Sequence, residues 1–170
     1  MKRLGLIVAF AMMLVGFSAL PALAVPPTTV TETGGLHVCQ GTTLDVTADK
    51  TDGAFLTATG EVCGAGRTAT ATLSATATAT LGCVTRGGGE PRGLQEVATV
   101  TTASETFNTR SGRGAFDIST EPLTVGEFAF ECPSAQQTEV IVGPVNFTDI
   151  TLTIVSQTGQ ITATFPDLDP

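Results

Sequence analysis

Four cysteines, one histidine and a scatter of carboxylates are the side chains of this 170-residue chain with chemistry to offer beyond folding. Cys39, Cys63, Cys83 and Cys132 include no C-x₂₋₄-C pair, the spacing from which structural zinc sites are built. Four cysteines in an exported chain read instead as two disulfides. His37 is the only histidine, and no Gly-x-Ser-x-Gly elbow accompanies it. A Ser-His-Asp triad therefore lacks its usual nucleophile setting. One imidazole with oxidised cysteines is also too small a ligand set for a transition metal. The reading assigns no catalytic residue, no metal and no cofactor.

The carboxylates leave one enzymatic alternative open, because a glycosidase needs only two of them. Here the acids are spread singly along the chain, and Trp and Tyr, the common sugar platforms, are absent. Asp45, Asp49, Asp52 and the tail Asp167-Leu168-Asp169 are Ca²⁺ ligands by type, but they lack the D-x-D-x-D-G spacing and read as solvated turns. The Arg86–Gly93 stretch, RGGGEPRG, is followed by no Gly-Lys-Ser/Thr and no helix start, so it reads as a loop and not a phosphate cradle. Asn146-Phe147-Thr148 matches the glycosylation sequon, which matters only in a eukaryotic secretory pathway.

The elements that must position these residues are strands. From Arg67 to Val84, RTATATLSATATATLGCV, Ala, Leu and Cys occupy the odd positions and Thr or Ser the even ones from 68 to 80. Strict period-2 alternation makes a strand with one apolar and one polar face, whereas a helix would scatter both types around its circumference. At about 3.3 Å per residue the stretch would span nearly 60 Å. A kink or bulge is expected near Ser74, allowing the strand to serve both sheets.

Leu36–Cys39 and Thr43–Ala48 read as one first strand interrupted near Gly41, with Leu44 and Val46 inward, and further strands are expected at Ala54–Cys63 (Leu56, Ala58 and Val62 inward) and Glu96–Phe107. Others follow at Ala115–Ser119, around Phe128–Cys132, at Glu139–Val142, Val145–Val155 and Gln160–Phe165. Asp49-Lys50-Thr51-Asp52-Gly53 is a turn, and Gln157-Thr158-Gly159 a hairpin. Short strands separated by turns, with no convincing helix, mean an all-β sandwich or barrel, and uneven strand and loop lengths favour an immunoglobulin-like β-sandwich of about eight or nine strands. Facing then pairs the cysteines. Cys83 shares the apolar face of Leu81 and Cys132 that of Phe128 and Phe130, whereas Cys63 lies on the Thr57/Thr59/Glu61 face and Cys39 is out of phase with Leu36 and Val38, so Cys83 pairs with Cys132 and Cys39 with Cys63.

Lys2-Arg3, the apolar run Leu4–Leu20 and Ala22-Leu23-Ala24 form a secretory signal peptide over residues 1–24, a retained anchor being the alternative. Residues 25–35 read as an extended lead-in arm and 36–170 as a single domain. Without Lys2 and Arg3 the chain has six basic residues against 16 acidic ones, a formal charge of −10. That charge opposes nucleic acid and anionic lipid, and no later apolar run is long enough to span a membrane after signal cleavage.

Cys39, the Gly-x-Val-Cys63 strand end, Leu81-Gly82-Cys83, a Gly/Pro loop and Phe130-Glu131-Cys132-Pro133 together resemble a group of small secreted all-β proteins from high-GC bacteria. The resemblance implies a disulfide-stabilised scaffold and carries over no catalytic residue. The expected function is a secreted, non-catalytic module, binding or structural, with an unidentified partner outside the cell or on its surface. The alternatives are a hydrolase using scattered carboxylates and an ice-binding surface. The last rests on Thr-x-Thr recurring at Thr57/Thr59, Thr68/Thr70/Thr72, Thr76/Thr78/Thr80, Thr99/Thr101, Thr151/Thr153 and Thr162/Thr164. An ice lattice needs such pairs in register on one flat sheet, which strand twist opposes.

Overall fold

A long strand that is apolar on one side only must be covered on that side, and the architecture follows from how this is done. The computed structural model describes residues 23–49 and 53–168. Most of the proposed signal peptide, the turn residues 50–52 and the carboxylate at Asp169 lie outside that range.

Ten strands are present among the described residues. They are β1 (Thr29–Gly34), β2 (His37–Val38), β3 (Asp45–Asp49), β4 (Phe55–Cys63), β5 (Thr68–Thr85), β6 (Arg92–Asn108), β7 (Gly114–Ser119), β8 (Gln137–Ile141), β9 (Asn146–Ser156) and β10 (Gly159–Thr164). The helical content of the described residues is one 3₁₀ turn, Val125–Glu127. All the ladders are antiparallel. The larger sheet runs β1-β10-β9-β5-β6, with β8 also on β5. In the smaller sheet β4 is flanked by β2 and β3 on one side and by β7 on the other.

The alternation of β5 is realised as expected: Ala69, Ala71, Leu73, Ala75, Ala77, Ala79 and Leu81 are all buried. They join Leu44, Val46, Leu56, Ala58, Val62, Phe116 and Ile118 of the smaller sheet's side in one apolar cluster. β5 stays in one sheet, contrary to the expectation that it would serve both. Eighteen residues can remain a single strand because β6 pairs along it from Thr68 to Cys83, while β9 and then β8 take the other side in succession.

The expected irregularity near Ser74 exists, but in the neighbouring strand. Between Ser74 and Thr76 the β9 partner advances from Thr151 to Thr148, so β9 holds the extra residue. Asp149 sits there with φ +53°, and the inward set changes phase from Phe147 to Ile150, Leu152 and Ile154. A second bulge lies in β6, where Leu81 and Cys83 face Gln95 and Arg92.

Two further expectations are corrected. Residues 25–35 are extended, but they are built into the fold: Val25 pairs with Val46, and β1 completes the larger sheet against β10. The alternation at Phe128, Phe130 and Cys132 forms no strand, because no ladder partner reaches it among the described residues. Phe128 is buried there all the same. Both disulfides form as the facing argument requires, Cys39–Cys63 and Cys83–Cys132, with Cα separations of 5.0 and 5.8 Å.

Candidate functional site

The residues considered for catalysis are not gathered. Among the described residues no three of His, Cys, Asp and Glu come together as a metal site would require. His37 is exposed and its Nδ1 lies 3.0 Å from the Gly35 carbonyl. Asp45 accepts a hydrogen bond from the Thr43 hydroxyl at 2.6 Å, on the face opposite Leu44 and Val46. Glu131 and Glu139 line one hollow with Phe128 and Phe130, and the Glu139 carboxylate accepts from the Cys132 N–H at 3.2 Å. Asp149 and Asp167 line another. Asn146 of the sequon lies in β9, and its side-chain oxygen is buried with no hydrogen-bond partner. Gly87, Gly88 and Gly89 form part of the exposed connection between β5 and β6, and Gly93 lies in β6.

What the fold does assemble is the outward face of the larger sheet. Register links Thr31, Thr162, Thr153, Thr72 and Ser104 in one row across five strands. The next row holds Thr29, Thr164, Thr151, Ser74 and Thr102. On the other side lie Thr33, Gln160, Val155, Thr70 and Thr106. Thirteen of these fifteen positions are Thr or Ser and none is charged. With strands about 4.8 Å apart and alternate residues about 6.7 Å apart, the rows cover roughly 19 by 13 Å.

Local chemistry holds the rows in place. The Thr70 and Thr106 hydroxyls are 2.8 Å apart, Thr72 and Ser104 are 3.0 Å apart, and Thr29 and Thr164 are 2.6 Å apart. Such cross-strand hydroxyl pairs contribute a few tenths of a kcal/mol to about 1 kcal/mol each. They also fix the hydroxyls of the β-branched threonines, whose χ1 is stiff. Asp149, whose carboxylate accepts from the Thr76 hydroxyl at 3.3 Å, and Glu96 bring charge only to the margin.

The opposite surface differs. The outward positions of β3, β4 and β7 include Asp45, Asp49, Glu61 and Asp117, with Thr57 and Thr59 between them. One guanidinium, Arg113, forms a two-pronged ion pair with Glu61, its Nη2 lying 2.7 Å from Oε2. This pairing holds the Glu61 carboxyl below its ordinary range, through the hydrogen bond first and the charge second.

The Thr-x-Thr pairs of the sequence are thus divided. Thr70/Thr72, Thr151/Thr153 and Thr162/Thr164 come together, Thr57/Thr59 lie on the smaller sheet, and Thr101 of β6 is buried toward the core. The contributions of Thr29, Thr31, Thr33, Thr102, Ser104 and Thr106 were not anticipated. Their signal was the same i, i+2 spacing, in a lead-in read as an arm and in the half of β6 where Thr-Thr pairs blur the alternation. No protein-family model, no curated protein and no solved structure matches this chain.

Proposed function

We propose that this chain is a secreted, non-catalytic β-sandwich module that acts by surface binding outside the cell, with the outward face of the larger sheet as its binding surface. The observation that carries the reading is the neutrality of that face: an uncharged, in-register array of hydroxyl and methyl groups on a chain whose mature charge would be −10. Such a surface suits an uncharged, hydrogen-bonding partner and offers little to nucleic acid or an anionic membrane. Export is supported by the Lys2-Arg3, apolar run and Ala22-Leu23-Ala24 order and by two disulfides, which persist in oxidising compartments. Among the described residues no helix is long and apolar enough to cross a membrane.

An immunoglobulin-like type is the finer reading of the fold. In its favour, β4 pairs with β3 and β7 as strand B does with A and E. Likewise β5 pairs with β9 and β6 as C does with F and C′, and β9–β10 form the F–G hairpin. The β1 edge is an addition to that plan.

Retention of the mature protein on surface material from the producing culture tests the function. A charged pair on the face, Thr72→Lys with Thr153→Lys, should abolish retention while Asp45→Lys on the other sheet preserves it. The reverse pattern would move the binding surface away from the threonines.

Ice is the second reading, favoured by one specific observation: two complete rows of Thr and Ser in register across one sheet. Twist of roughly 20–25° per strand would restrict a lattice match to two or three neighbouring strands. Thermal hysteresis that the Thr72→Lys, Thr153→Lys variant lacks would support it. Ordinary crystal growth at high protein concentration would eliminate it.

A further inference from the structure

β6 is the outermost strand of the larger sheet, and among the described residues nothing pairs with its outer edge. Register fixes the direction of its free backbone groups. The Thr109 N–H donates to the Arg67 carbonyl at 2.9 Å, so Arg67 and Thr109 are a hydrogen-bonded pair. In an antiparallel ladder such pairs alternate with non-hydrogen-bonded ones. Carried along the register from Thr68–Asn108, the odd residues of β6 bond to β5. The even residues Ala98, Val100, Thr102 and Ser104 therefore aim N–H and C=O outward. The Thr70–Thr106 and Thr72–Ser104 hydroxyl contacts agree, because side chains approach most closely in non-hydrogen-bonded pairs.

Exposed edges of this length are normally blunted by charge, Pro, bulges or inward-pointing charged residues. The other edges here follow that rule. β1 carries Glu32 on its core-side register, accepting from the Val38 N–H at 2.7 Å; β3 is bounded by Asp45 and Asp49; β7 carries Asp117. The central part of β6, Val97–Ser104 (VATVTTAS), has no charge, no Pro and no Gly. At its middle Val100 is 68% exposed. The bulge and the charged residues of β6 are confined to its flanks, at Arg92, Glu96 and Glu105.

We propose that β6 pairs antiparallel with β6 of a second copy of this chain about a two-fold axis through Val100, joining the two larger sheets into one. Outward-pointing residues must face outward-pointing residues, so facing residue numbers must sum to an even value. Among such registers, Val100 opposite itself sets Glu96 against Ser104 and Gln95 against Glu105, while Arg92 lies beyond the bulge. No like charges are opposed and the exposed valines cover one another. A shift to Thr101 on itself sets Glu105 against Val97, and a shift to Thr99 on itself sets Val100 against Ala98. The pairing is independent of what the hydroxyl face binds, and it sets the two hydroxyl faces on one side of the joined sheet.

Sedimentation equilibrium of the mature chain, at concentrations up to about 1 mM, should show a concentration-dependent dimer. Val100→Lys places two lysines directly opposite one another and should weaken the dimer by at least about tenfold. A second measurement fixes the register without relying on that variant. Val100→Cys, opposite itself at a Cα distance of about 5.5 Å, lies within disulfide reach and should cross-link on mild oxidation. Ala98→Cys, displaced from its own copy by four positions or roughly 13 Å, should not. A chain monomeric throughout the range, a dimer indifferent to Val100→Lys, or equal cross-linking at 98 and 100 would each overturn the proposal.

Discussion

Cys83 and Cys132 are joined with their Cα atoms 5.8 Å apart, although only Cys83 belongs to a sheet. Cys132 lies in the long connection between β7 and β8, which holds the 3₁₀ turn and buries Phe128 but contributes no ladder among the described residues. The start of that connection has its own hold, through the Thr120 and Leu123 N–H groups on the Leu56 and Ala54 carbonyls, so the disulfide chiefly anchors the stretch after Phe128. It closes a loop of 49 residues, against 24 for Cys39–Cys63. On the chain-entropy account this is worth about 4 kcal/mol. Replacing both Cys83 and Cys132 by Ala should lower the denaturation free energy by about that amount, and limited proteolysis should cut first between residues 129 and 136. Initial cutting in the β5–β6 hairpin would show that the anchor holds something else.

The small residues of β5 leave room for large neighbours. Ala77 is fully buried and faces Phe147 of β9 across the ladder, while Leu73 faces Leu152. A larger side chain at 77 has to displace an aromatic ring in a filled interior. Ala77→Leu should destabilise by about 1–3 kcal/mol through overpacking, and Phe147→Ala by about 3–5 kcal/mol through loss of burial and a cavity. Thr76→Val, on the outward face, should stay within about 0.5 kcal/mol. Urea titrations of the three variants check the order, and a costly Thr76→Val would mean that the outward hydroxyls are structural.

Acid should weaken the fold through two glutamates, the half-buried Glu61 and the exposed Glu127. Arg113 holds the Glu61 carboxyl below its ordinary value of 4.5. The Thr124 hydroxyl and N–H, both donating to its carboxylate, do the same for Glu127 at the 3₁₀ turn. A carboxylate whose folded pKa is depressed contributes stability that is complete above the unfolded value. That contribution is lost as the pH falls through the folded one. The melting temperature should therefore decline below about pH 4.5, and Glu61→Gln with Glu127→Gln should flatten the decline. A slope unchanged in the double variant would assign the acid response to other carboxylates.

Much of this molecule was legible because its strands are one-sided. The inward residues of β3, β4, β5 and β7, and the two cysteine pairs, follow from which side chains share a parity. β1 was not legible, because TVTETG has no apolar face and becomes a strand only by completing the edge beside β10. The alternation of Phe128, Phe130 and Cys132 misled in the opposite sense: parity directs side chains inward, but a strand also needs a partner. The hydroxyl face was half visible. Thr-x-Thr spacing shows on each strand, whereas the rows depend on register, and register is set by turns and bulges elsewhere.

The bulge in β9 was written into the sequence as a change of phase. Phe147 is inward at an odd position, and Ile150, Leu152 and Ile154 are inward at even ones, so one residue between them has to be absorbed. Asp149 absorbs it at φ +53°, in the left-handed region that Asp and Asn tolerate better than β-branched residues do. Its carboxylate accepts from the Thr76 hydroxyl at 3.3 Å, and the Thr151 hydroxyl donates to its backbone carbonyl at 3.4 Å. Asp149→Gly should cost only a few tenths of a kcal/mol, since what is lost in hydrogen bonding is offset by relief of the backbone conformation. Asp149→Ile, which has to hold a branched side chain in the same region, should cost about 1–2 kcal/mol or more. Because the bulge sets the register that brings Thr148 opposite Thr76 while Thr151 faces Ser74, the isoleucine variant should also disturb the hydroxyl rows. Amide exchange of Thr148 and Thr151 should quicken with Ile and remain slow with Gly. Equal stability and exchange in both variants would mean that the extra residue is accommodated without the left-handed turn.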